Sequence, residues 1–124
     1  MAKSSPYFLR IRRDVVKIIS SVPSGKVITF SDIGNYFDVV PRHVAYILAA
    51  IARDQTAQEI PWHRATSQTG RLTRQPLHER QAVLLKAEGL RFGSNGGVID
   101  FAEVIVQVVD LKHGLSPQKR PLLV

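Results

Sequence analysis

The sequence predicts a mainly α-helical single domain with short β pieces, its middle arranged as a helix-turn-helix. Three observations carry that expectation. Apolar residues recur at helical spacing in four stretches, each bounded by Gly, Pro or small polar residues. The β-branched runs between them are too short for a substantial sheet. At 124 residues, 44% of them hydrophobic, the chain can close one modest core.

Residues 1–6 read as a disordered lead-in to a domain spanning 7–111. From Tyr7, the apolar positions Phe8, Ile11, Val15, Ile18, Ile19 and Val22 trace one helical stripe, with Arg10, Arg12, Arg13 and Lys17 off it. Pro23-Ser24-Gly25 ends this helix. Lys26 to Phe30 has the character of a short strand. Ser31 is placed to cap a second helix carrying Ile33, Tyr36 and Phe37 on one face. After Asp38-Val39-Val40, Pro41 suits the first position of a third helix burying Val44, Ile47, Leu48 and Ile51. The two short helices and their tight link form the helix-turn-helix pattern.

Asp54 to Glu59 reads as a polar loop. Thr69-Gly70 suggests a turn between two extended pieces. Leu77 to Glu88 reads as a helix with Leu77, Gln81, Leu84 and Leu85 on one side, stopped by Gly89. Asn95-Gly96 signals a hairpin turn. Ala102 to Leu111 fits a helix by spacing and a strand by β-branched content, and helix is the expectation adopted. Lys112 to Val124 reads as a tail, disordered or extended.

The formal net charge of +7 favours polyanionic partners. The absence of cysteine excludes disulfides, thiolate metal sites and thiol catalysis. His43, His63, His78 and His113 lack paired metal-ligand spacing, so no metal is expected, nor any cofactor. No run is long enough to span a membrane, and a soluble intracellular protein is expected.

Ile60-Pro61-Trp62-His63-Arg64 holds the only tryptophan. A stiff Pro turn followed by three large side chains suits a site wall. It equally suits a Trp62 that caps the core while His63 and Arg64 make structural hydrogen bonds. Arg64, Arg71 and Arg74 then stand in a segment, Ile60 to His78, without an acidic residue. Such a segment suits phosphate contact or a solvated loop.

The order Gly25-Lys26-Val27-Ile28-Thr29-Phe30, Pro41-Arg42, Pro61-Trp62-His63-Arg64, Gly70 and Glu88-Gly89 resembles the DNA-binding domain of O6-alkylguanine-DNA alkyltransferases. The resemblance spans about Phe8 to Asp100. Those enzymes carry Pro-Cys-His-Arg, and Trp62 stands at the cysteine, as in the alkyltransferase-like proteins. The resemblance implies a winged helix-turn-helix-like domain that binds the minor groove of double-stranded DNA as a monomer. It implies flipping of an alkylated guanine without removing the alkyl group, and flagging of the lesion for nucleotide excision repair proteins. It implies a cytoplasmic location, nucleoid-associated in a prokaryote and nuclear in a eukaryote.

Residue by residue, the resemblance puts the lesion pocket at Trp62, Phe30, His63, Arg64 and Arg74, under the loop from Gly70 to Gln75. Arg74 is the nearest match to a family arginine on that loop, with Gln75 the neighbouring alternative. His63 and Glu88 match the pair that activates the thiol, and are expected to persist as a structural network. The helix from Pro41 would contact DNA through Arg42, His43 and Ala45. Three positions depart from the family: Phe30 replaces a tyrosine, Ala45 an arginine finger, and Asp54 an asparagine. The first two favour the alternative of a winged-helix DNA-binding or regulatory module without lesion specificity. A hydrolase built on His63 and Glu88 is a third reading, with no visible nucleophile.

Overall fold

The computed structural model describes residues 6–54 and 59–117. Helix α1 (Pro6–Ser20) buries Ile11, Val15, Ile18 and Ile19, the predicted stripe, with its one carboxylate, Asp14, beside them. Pro6, expected in the lead-in, is instead the first helical residue, where its preset φ costs nothing. The rest of the lead-in lies outside the described residues.

Strand β1 covers only Ile28–Thr29. The expected strand from Lys26 to Phe30 is shortened because Phe30 already belongs to α2 (Phe30–Phe37). The N-cap is accordingly Thr29, not Ser31. Thr29 is extended, and its hydroxyl accepts from the Asp32 backbone N–H at 3.0 Å. Ser31 falls inside the first turn, where it cannot serve that role.

The link to α3 (Pro41–Arg53) is very tight. Asp38 adopts the left-handed conformation, and the Val39 amide donates to the Gly34 carbonyl at 2.8 Å. A Cβ at residue 34 would run into the Val39 carbonyl oxygen, so the turn requires glycine there. Pro41 opens α3, and Val44, Ile47, Leu48 and Ile51 are buried as the periodicity predicts. Helices α2 and α3 pack chiefly on each other, and α1 packs behind both.

Residues 55–58, in the expected polar loop, lie outside the described residues. The chain then makes a 3-10 turn, Trp62–Arg64, and enters β2 (Ala65–Thr66). Strands β1 and β2 pair in parallel, Ile28 with Ala65 and Thr29 with Thr66. This pairing holds the Pro-Trp-His-Arg stretch against the start of the helix pair. Helix α4 (Leu77–Ala87) buries Leu77, Gln81 and Leu85. Leu85 joins Val27, Leu90 and Val98 in a small second cluster, apart from the main core. Phe92 and Val98 bridge antiparallel around the expected Asn95-Gly96 turn.

The helix expected from Ala102 to Leu111 is not formed. Helix α5 is only Phe101–Val104, and a 3-10 turn covers Val108–Asp110. Between them the backbone pairs with the edge of Val27: its amide donates to Val104 at 3.0 Å, and the Val106 amide donates back at 2.8 Å. A free edge next to a β-branched run outweighs the helical spacing. Residues 112–117 form no helix or strand and pack back on the domain, with Gly114 left-handed, His113 buried and the Tyr36 hydroxyl donating to the Leu115 carbonyl. Residues 118–124 lie outside the described ones. Among the described residues, no helix is long and apolar enough to cross a membrane.

Candidate nucleic-acid interface

Glu88 closes α4 and gathers the polar side chains of the Pro-Trp-His-Arg turn. Its Oε2 accepts from Arg64 Nη2 at 2.7 Å and contacts His63 Nε2 at 2.9 Å. Arg64 Nε lies 3.1 Å from both carboxylate oxygens, and the Gly25 amide donates to Oε1 at 3.3 Å. Arg64 also donates to the Val22 carbonyl at 2.8 Å. One carboxylate thereby ties α4, the 3-10 turn and the α1–β1 connection together. Burial works against the Glu88 charge and is the largest single influence. The hydrogen bonds from Arg64, His63 and Gly25, with the positive field of His63, outweigh it and hold the carboxyl at about 2.

Beneath this network, Gln81 is fully buried. Its Nε2 donates to the His63 and Ala65 carbonyls at 3.0 and 2.8 Å, and its Oε1 accepts from the Thr73 amide at 2.7 Å. All its amide atoms are engaged, so the backbone on both sides of Arg64 is fixed from α4.

Trp62 is 5% exposed and belongs to the main core. Its ring meets His63 edge to face, centroids 6.1 Å apart. The Arg80 guanidinium lies 5.6 Å from the Trp62 ring centroid, while its Nη1 donates to the Ala52 carbonyl at 2.8 Å. These side chains border an open cavity of about 340 Å³ lined by Ser20, Glu59, Ile60, Pro61, Trp62, His63, Arg64, Arg80 and Leu84. A single nucleobase is smaller than that.

A second cavity, about 440 Å³, opens on the helix-turn-helix side. Phe30, Ser31, Pro41, Arg42, Ala45 and the loop Ser67–Thr69 line it. Ala45 contributes only a methyl group to this wall. Along α3, Arg42, Tyr46 and Arg53 are exposed. His43 is half-buried and stacks on Phe8 of α1, ring centroids 5.8 Å apart.

The structure therefore brings Trp62, His63 and Arg64 to one cavity, with Glu88 directly behind. It places Phe30 at the other cavity, together with Pro41, Arg42 and Ala45. Phe30 is separated because it starts α2 on the far end of β1, beside α3 and the loop after β2. Arg74 is exposed and lines neither cavity, and no residue of the loop from Gly70 to Gln75 lines the cavity beside Trp62. The cation next to Trp62 is Arg80. No sequence signal singles out an arginine on an amphipathic helix, and only the spacing of three residues from Leu77 and four from Leu84 hints that it flanks the buried face. Gln81 was legible as a core-face position, though not as a triple hydrogen-bonding anchor. Among the described residues, no group of three or more His, Asp or Glu side chains is placed to hold a metal ion.

Two solved structures share this fold: S. pombe Atl1 in complex with damaged DNA containing O6-carboxymethylguanine, and S. pombe ATL in complex with DNA. Each superposes with a TM-score of 0.62 at 22% identity, covering 79% of this chain and 95% of the other. None of the curated proteins compared matches the chain. The sequence profile of the 6-O-methylguanine DNA methyltransferase DNA-binding domain matches residues 10–90. That match takes in well over half of the chain and all of α1 to α4 except the first turn of α1, so the protein belongs to the family of the 6-O-methylguanine DNA methyltransferase DNA-binding domain.

Proposed function

We propose that the protein is an alkyltransferase-like, non-enzymatic DNA-binding protein. It enters the minor groove with α3, takes an O6-alkylguanine out of the base stack, holds it beside Trp62, and marks it for nucleotide excision repair. The observation that carries this reading is Trp62 inside an intact His63–Arg64–Glu88 framework, in a chain without any cysteine. Alkyl transfer needs a thiolate as acceptor, and an indole ring supplies no such nucleophile. It supplies a flat, polarisable surface, and a cavity of about 340 Å³ adjoins it. The two S. pombe structures of the same fold are DNA complexes, one holding O6-carboxymethylguanine, which supports DNA as the partner here. On this reading Arg80, not Arg74, is the cation nearest the held base. The protein needs no cofactor, acts as a monomer, and works wherever the cell keeps its DNA.

The test is binding to two duplexes identical except for one O6-methylguanine, at the same salt concentration. Lesion preference in the native protein, lost in Trp62→Phe and Trp62→Ala, is the expected result; equal affinity for both duplexes would sink the proposal. Coupling to repair is read separately, as faster excision of the lesion in a repair-competent extract when the protein is added.

A second reading has its own observation. Phe30, Arg42 and Ala45 share a cavity that excludes Trp62. A winged-helix module that binds duplex DNA through this face alone would bind both duplexes equally, and Trp62→Phe would leave its affinity unchanged.

A further inference from the structure

We infer that the flank of α1 around Arg12 and Arg13 is a second phosphate-binding surface, gripping the DNA backbone beside the groove that α3 enters. The inference rests on the DNA-binding reading above and adds a surface outside the helix-turn-helix.

The Phe8–His43 stack places the first turns of α1 against one flank of α3. Ala45, two residues after His43, stands about 200° around the helix at about 100° per residue. It faces the cavity with Phe30 on the opposite flank. The exposed ridge of Arg42, Tyr46 and Arg53 runs between these flanks. So α1 borders the DNA-facing ridge on the side away from the cavity.

Arg12 follows Phe8 by four residues and shares its face of α1. Arg13 is next to it, with a side chain 75% exposed. The only carboxylate of α1, Asp14, is buried; its contact with Arg13 Nε is long, at 3.8 Å. The outer side of α1 thus carries Arg10, Arg13 and Lys17, with Arg12 half-buried on the flank toward Phe8, and no exposed acid stands among them. Solvated helix faces generally intersperse the two signs, as α4 does with Glu79 among its basic residues. An unrelieved basic face suits a polyanion, and the ridge of α3 continues it.

The dimensions agree. Packed helices lie about 8–10 Å apart, axis to axis, and the minor groove is about 6 Å wide. With α3 in the groove, the neighbouring helix stands over a phosphate wall.

The experiment measures dissociation constants for an unmodified duplex over a salt series. It compares the native protein, the double variant Arg12→Gln/Arg13→Gln, and a control, Lys86→Gln/Arg91→Gln, that removes the same charge at α4 and the residue after Leu90. Each lost phosphate contact lowers the slope of log K against log salt by about 0.9. The double variant is expected to lose about 1.8 of slope and to bind more weakly at low salt, with the control near native. The ratio of lesion to unmodified affinity stays as in the native protein. A double variant with native slope and affinity, or one no weaker than the control, overturns the inference while the lesion preference of the native protein still stands. No duplex binding by the native protein overturns the function itself. If the double variant is poorly folded, Arg13→Gln alone, at an exposed position, is read the same way against a slope change of about 0.9.

Discussion

Glu88→Gln keeps the shape of the side chain and removes the charge on which Arg64, His63 and Gly25 converge. In the native protein this carboxyl is held at about 2, against an ordinary 4.5. A difference of about 2.5 pKa units is worth about 3 kcal/mol at about 1.4 kcal/mol per unit. Because the folded value lies below the unfolded one, folding favours the charged form. Its stabilisation is complete above about pH 5, and is lost as the pH falls from there through 2. Breaking a buried pair on one side costs about 3–5 kcal/mol, since the Arg64 guanidinium loses its counter-charge in a confined place. Urea denaturation at pH 7, 5, 3 and 2 reads both quantities. The variant is expected to be less stable at pH 7 by that amount, and its further decline between pH 5 and 2 to be about 3 kcal/mol smaller than in the native protein. The remaining carboxylates titrate in both proteins and cancel. Parallel declines over that interval would refute the account of Glu88 as the charged hub.

Gln81→Leu strands the carbonyls of His63 and Ala65 and the amide of Thr73 in the interior, and is expected to lower stability by about 2–4 kcal/mol in a denaturant titration. Gly34→Ala forces the α2–α3 link apart and is expected to cost more than about 2 kcal/mol, with DNA affinity falling beyond what the unfolded fraction explains. Arg80→Ala uncovers the ring of the sole tryptophan. It is expected to shift Trp62 fluorescence to longer wavelength, while costing only about 1 kcal/mol of stability. An unchanged emission spectrum would mean that Arg80 does not cover the ring in solution.

The long helices were legible because their signals are local. Pro41 at the start of α3, the stripe from Ile11 to Ile19, and Gly89 after α4 each report on their own neighbourhood. What failed needed knowledge of a distant partner. Phe101, Val104, Ile105, Val108 and Val109 have helical spacing, yet the segment from Val104 to Val106 meets the free edge of Val27, nearly eighty residues earlier in the chain. No local pattern announces that edge. Thr29 displaced Ser31 as the cap for a related reason: the pairing of β1 with β2 ends the extended segment one residue earlier than the strand-like composition implies. At the site, the motif order singles out Trp62, His63, Arg64 and Glu88, and the structure joins His63, Arg64 and Glu88 by hydrogen bonds. Only the family resemblance puts Phe30 and Arg74 in the same pocket. Their placement depends on where α2 begins and where the loop after Gly70 runs, and neither is encoded in those residues.

The contact between Gly34 and the Val39 carbonyl has a mechanical consequence. With no gap between α2 and α3, and with Thr29 bonded within the turn and Asp32 and Tyr36 tied to Val108 and Leu115, this helix pair has no slack to take up distortion. In any complex the compliance must come from the duplex, and a weakly paired or poorly stacked step yields at lower cost than a sound one. On the proposed function, a stiff prong pressed against a helix of uneven softness is a gauge, and it would rank sites by how easily they give way before any side chain touched the altered base.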